Sequence, residues 1–171
     1  MKKIAWMIAP LLGLATITSA IADSVGTISG RFNGEERTWS ALKIEGAGST
    51  STYDEFMPGF TSIHIQGHQG DDFSVSGSLS IGFTVRESGD IDEPSMVFVP
   101  GAKLSDYYEA NEGALTIDLE SIKDQGETMV VTGRATGTLV RTRRKGIKIT
   151  ADPSDTIEVD LSFETIASAS Q

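Results

Sequence analysis

The sequence predicts an all-β fold, a single-domain antiparallel β-sandwich with a small closed β-barrel as the alternative, and three observations carry that prediction. Apolar residues recur with period two in several separate stretches. An Asn-Gly dipeptide stands between two strand-like segments, and no convincing helical periodicity occurs outside the N-terminal apolar run.

Taken in order, the chain opens with Lys2 and Lys3, the apolar run Ile4 to Ile17, and Ala20-Ile21-Ala22 before Asp23. A basic start, an apolar stretch broken by Pro and Gly, and a small-x-small site describe a secretory signal peptide. The expected organisation is a cleaved leader over 1–22 and one β-domain over 23–171, exported to the periplasm or outside the cell. The chain has no Cys, which removes disulfides, thiolate metal sites and a cysteine nucleophile. Stability is left to packing and sheet hydrogen bonds.

Ile28 to Phe32 and Thr38 to Ile44 flank Asn33-Gly34, the dipeptide that best tolerates the positive φ angles of a tight hairpin. Gly46 to Phe60 reads as the longest loop. From Phe73 to Arg86 the odd positions are Phe73, Val75, Gly77, Leu79, Ile81, Phe83 and Val85, opposed by Ser, Gly and Thr, which predicts one strand with a buried and a wet face. The wet face carries no charge before Arg86, so cover by the same molecule or by a partner is expected. Glu87 to Ser95 reads as an acidic loop, and Gly101 to Gly113 as another, with Tyr107-Tyr108 in a short helical turn. Alternation resumes at Leu115, Ile117 and Leu119, at Met129, Val131, Ala135 and Leu139, and at Ile157, Val159, Leu161 and Phe163. Residues 138 to 151 are expected to form a hairpin turning at Lys145-Gly146. The polar end Ser168 to Gln171 and the scarcity of aromatics argue against an outer-membrane barrel.

Lys and Arg total 14 against 24 Asp and Glu, a net charge of -10, which opposes binding of nucleic acid or anionic lipid across the whole surface. Against that background Arg141, Arg143, Arg144, Lys145 and Lys148 fall within eight positions. This basic tip is the candidate partner-binding site, for a protein partner, for the acidic side of the chain's own copies, or for an anionic surface polymer. The competing reading pairs these cations locally with Asp152, Asp155 and Glu158. A second candidate is the mouth of a small apolar or sugar ligand site formed by Trp39, Tyr53, Phe56, Phe60 and Tyr107.

Two weaker groupings contain metal-ligand chemistry: His64 and His68 with Asp71 and Asp72, and Asp90 and Asp92 with Glu93. On an extended strand His64 and His68 would lie roughly 13 Å apart, and the acidic loop lacks the distal Glu of a calcium loop. Surface histidines and a solvated acidic loop are the simpler readings, and no metal or cofactor is expected. His64 and His68 are the only histidines, and neither adjoins a Gly-x-Ser-x-Gly nucleophile. The functional expectation is a non-enzymatic exported protein that works by protein-protein contact, self-assembly or surface-polymer binding.

Overall fold

The computed structural model describes residues 22–46 and 48–170, so the expected leader lies outside the described residues except for Ala22. Ten strands form one sheet and no helix occurs among these residues. They are β1 (Ala22–Phe32), β2 (Glu35–Ile44), β3 (Gly48–Ser49), β4 (Ser51–Met57), β5 (Phe60–His68), β6 (Ser78–Arg86), β7 (Ile91–Val99), β8 (Asp106–Asp124), β9 (Thr128–Lys145) and β10 (Lys148–Ala169). The all-β, antiparallel expectation holds, with one short parallel pairing between β4 and β10.

Asn33 and Gly34 turn β1 into β2 with φ of 53° and 82°, the pair of positive angles that a type I′ hairpin demands. Phe32 and Glu35 face each other across it, so the expected Asn33-Gly34 turn is present and β2 begins at Glu35, before the expected Thr38. Strand pairing then closes on itself: β1 bonds β10, β10 bonds β9, and β9 to β5 follow in sequence order before β5 meets β2, which returns to β1. Such a ring is consistent with either a sandwich or a barrel.

Two junctions are narrow: β7 meets β8 only at Val97↔Glu109 and Phe98↔Tyr108, and β2 meets β5 only at Ser40↔His68 and Ala41↔Gly67. Thr50 and Ser51 knit the seam beside the second. The Thr50 hydroxyl donates to Gln66 O (2.8 Å) and accepts from the Leu42 amide (2.8 Å), and Thr165 donates to Ser51 Oγ (2.9 Å). Small hydroxyl residues suit a place where strands converge: Thr50 satisfies two backbone groups, and the Ser51 and Thr165 hydroxyls satisfy each other.

Alternate residues from the ring's strands fill one core. Trp39, Phe32, Phe163, Met96 and Leu161 are among its largest fully buried side chains, and Phe32, Trp39 and Phe98 meet edge to face at centroid separations of 4.7 to 6.4 Å. Trp39 Nε1 donates to Gly77 O at 2.8 Å, which satisfies the indole within the apolar interior.

Several expected boundaries move. The strand foreseen from Phe73 begins at Ser78, since Gly77, at φ 76°, turns the chain and residues 69–77 form a loop. The loop foreseen over Gly46 to Phe60 contains β3 and β4, whose β-prone Thr52 and Tyr53 pair with β5, while Phe56 falls at a bulge between Glu55 and Met57. In the acidic loop, only Glu87 to Asp90 lie outside strands, and β7 starts at Ile91. Tyr107 and Tyr108 are in β8, paired with Thr142 and Arg141, and not in a helical turn. The last three differences share a physical origin, a β-prone segment without apolar alternation that gains a ladder partner, whereas the segment from Phe73 alternates but has no partner to pair with.

Candidate interaction site

Of the two ends of this ring, the basic one is built by β9 and β10. Lys145 and Lys148 face each other across Gly146-Ile147, with Gly146 at φ 62° taking the first central place of a two-residue turn. The expected hairpin is therefore present, with its turn at Gly146-Ile147, one residue beyond the expected Lys145-Gly146. Residues directly opposite in an antiparallel pair share a face, so Arg143, Lys145, Lys148 and Thr150 line one side of the ribbon, and Arg144 and Ile149 the other. Every residue from 143 to 151 is exposed. Ile147, at the tip, is 100% exposed and Ile149 is 60% exposed.

Arg141 stands apart from the other four cations. Its Nε and Nη2 donate to the two carboxylate oxygens of Asp106, both at 2.9 Å, and its Nη1 donates to Asp155 at 3.1 Å. Tyr108 donates its hydroxyl to the other Asp155 oxygen at 2.8 Å, and the guanidinium lies 5.7 Å from the Tyr108 ring centre. Asp155 reaches this position because β10 carries three extra residues, Pro153 to Asp155, between the pairs Asp152↔Arg141 and Thr156↔Val140. The Arg141 hydrogen bonds hold both carboxyls below the usual carboxylate range, while burial, helped by Asp155, pushes the Tyr108 phenol up.

Local pairing thus describes Arg141, through Asp155 and the unforeseen Asp106. Arg143 keeps only a long 3.7 Å approach to Asp106, and Arg144 donates to Gly146 O at 3.3 Å. Among the described residues no carboxylate lies within ion-pairing distance of Arg144, Lys145 or Lys148. Four cations and two exposed isoleucines therefore share one projecting ribbon.

Aromatic residues proposed for a ligand mouth are distributed over the molecule. Trp39 is sealed in the core, Tyr107 lies on β8 beside the basic hairpin, and Tyr53 donates to Gly126 O at 3.0 Å. Only Phe56 and Phe60 come together, 6.1 Å apart at the β4–β5 turn. That turn belongs to the other end of the ring, where it joins the β6–β7 and β8–β9 turns around an open cleft of about 670 Å³. Val85, Ile122 and Met129 give this cleft an apolar floor, and Glu55, Glu87 and Asp124 rim it.

The histidines occupy different environments. His64 is exposed on β5, whereas His68 is fully buried, a correction to the expected pair of surface histidines. Loop 69–77 covers it: Nδ1 meets Ser74 O at 2.8 Å and the ring packs 4.7 Å from Phe73. Asp71 and Asp72 remain exposed on that loop. Asp90 accepts from Ser88 at 2.7 Å, and Asp92 pairs with Arg86. No group of three potential metal ligands assembles among the described residues.

Comparison with protein-family models, with curated proteins and with solved structures finds no match to this chain. The functional reading rests on the site itself.

Proposed function

We propose that this chain is an exported, non-enzymatic binding protein of the cell envelope or its surroundings, and that the β9–β10 hairpin is its working surface. One observation carries the proposal: a ribbon with Arg143, Arg144, Lys145 and Lys148 in the open, tipped by a fully exposed Ile147, projects from a chain of net charge -10. Concentrated charge of the minority sign attracts a complementary surface at long range, and an apolar tip adds contact energy once water is displaced. Its partner is an acidic protein face, a second copy or an anionic surface polymer.

The ligand-binding alternative has less support. Large side chains occupy the ring's interior, and the aromatic residues that would form a mouth do not converge. The test is solution mass and retention on an anionic polymer, each at low and high salt, for the protein and for Arg143→Ser/Arg144→Ser. Salt-sensitive association or retention that the double variant loses is the expected result. Identical behaviour of the two proteins in both assays would remove the hairpin as the working surface.

A further inference from the structure

We infer that the hairpin's partner is a second copy of this chain, and that the acceptor is the acidic cleft at the opposite end. This rests on the reading of the hairpin as the working surface. The two sites are complementary in both charge and polarity. The hairpin offers four cations around Ile147, and the cleft offers Glu55, Glu87 and Asp124 around Val85, Ile122 and Met129. Among the described residues, none of the three cleft carboxylates has a salt-bridge partner. Arg86, the cation on the cleft wall, is already occupied by Asp92.

Distance excludes the same molecule from serving both roles. β9 begins at Thr128, beside the cleft, and ends at Lys145, at the hairpin turn. Its 18 residues, at roughly 3.3 Å each, separate the two sites by about 60 Å along the strand. A ribbon held in register with β10 cannot fold back over that span, so the cleft is filled by another copy.

Contact between two different patches is head to tail, and each added copy leaves one hairpin and one cleft unoccupied. Growth is open-ended unless the rotation between successive copies closes a ring. A hairpin tip in a cleft is a small interface, so each contact is weak, and assembly depends on protein concentration. The charges on both surfaces are exposed, and the screening length shortens from about 10 Å at 0.1 M salt to about 3 Å at 1 M, so assembly also reverses as salt is raised.

Two variants, each lacking one partner surface, test the inference by sedimentation velocity at low salt. Ile147→Asp removes the tip, and Glu55→Lys/Glu87→Lys/Asp124→Lys reverses the cleft rim; Glu87→Lys alone serves if the triple variant loses its far-ultraviolet circular dichroism. The expected result is concentration-dependent growth of the unaltered protein and at least tenfold weaker association of each variant alone. Mixing the variants should restore one hairpin-to-cleft contact and give dimers that grow no further.

Assembly of the cleft variant at the same concentration as the unaltered protein would overturn the cleft as acceptor and leave the hairpin reading standing. A monomer at every concentration that still binds an anionic polymer or an anionic-lipid vesicle through Arg143 and Arg144 would do the same. A protein that neither associates nor binds such surfaces overturns both.

Discussion

Arg141 shows how one residue can leave the group to which its sequence position assigns it. It follows the inward-facing Ala135 and Leu139 in the two-residue period of β9, so it ends the core row, whereas Arg143 on the same face is exposed where β8 begins. Asp106, Asp155 and Tyr108 gather around it from β8 and β10. The Arg141 hydrogen bonds place the folded-state pKa of both carboxyls below the unfolded value. Their contribution is present above about pH 4, the ordinary carboxylate value, and is lost as pH falls through the depressed folded value. Arg141→Ser should accordingly lower the melting temperature at pH 7, and the gap from the unaltered protein should narrow near pH 2. Thermal melts at both pH values test this, and an unchanged gap would place the clamp's stabilisation elsewhere than in these carboxylates. The cation cluster was legible in the sequence, but its division into one clamp and four open charges was not. That division depends on Asp106, 35 residues earlier, and on a bulge at Pro153 that periodicity cannot reveal.

At the scale of elements, the hairpins with a local signal are the ones that sequence reading recovers. Asn33-Gly34 needs no distant information, because two consecutive positive φ angles are tolerated by few residue pairs. A Cβ at position 34 would meet nothing within 4 Å, so the cost of substitution there is conformational and not a clash. Gly34→Val should destabilise the protein by about 1–2 kcal/mol, the penalty for holding an L-residue in the left-handed region. Chemical denaturation measures it directly, and a loss below the error of the method would mean that the turn adopts another type. Loop 69–77 is the contrasting case. Phe73 and Val75 keep the period of β6, yet Gly77 breaks the strand and the loop folds over His68. The alternation of that segment was real, but no ladder partner exists to extend it, since β6 begins its pairing with β7 at Ser78↔Val99. The face on which Ser80 and Gly82 are half-covered and Thr84 is buried is likewise set by neighbours that the sequence does not name.

For the molecule as a whole, closure of the ring depends on its two narrow junctions, β7 to β8 and β2 to β5. β9 and β10 pair along nearly their whole length, whereas β2 meets β5 at two positions. Gly67 makes that meeting possible: a Cβ there would lie 2.6 Å from Trp39 Cβ and 3.1 Å from Ile28 Cδ1, both in the packed core. No staggered rearrangement of Trp39 moves its Cβ, so the added methyl must push the strands apart. Gly67→Ala should cost about 1–3 kcal/mol, the range for overpacking a filled core. Its location makes a sharper claim than its size, because local opening follows the weakest pairing and need not await global unfolding. Hydrogen exchange should therefore speed at Ser40 to Leu42 and at Gly67 and His68 in the variant, while the paired amides of β9 and β10 keep the protection set by global stability. Equal loss of protection in all strands would show that the ring opens as one unit and that its two-pair seam has no independent stability.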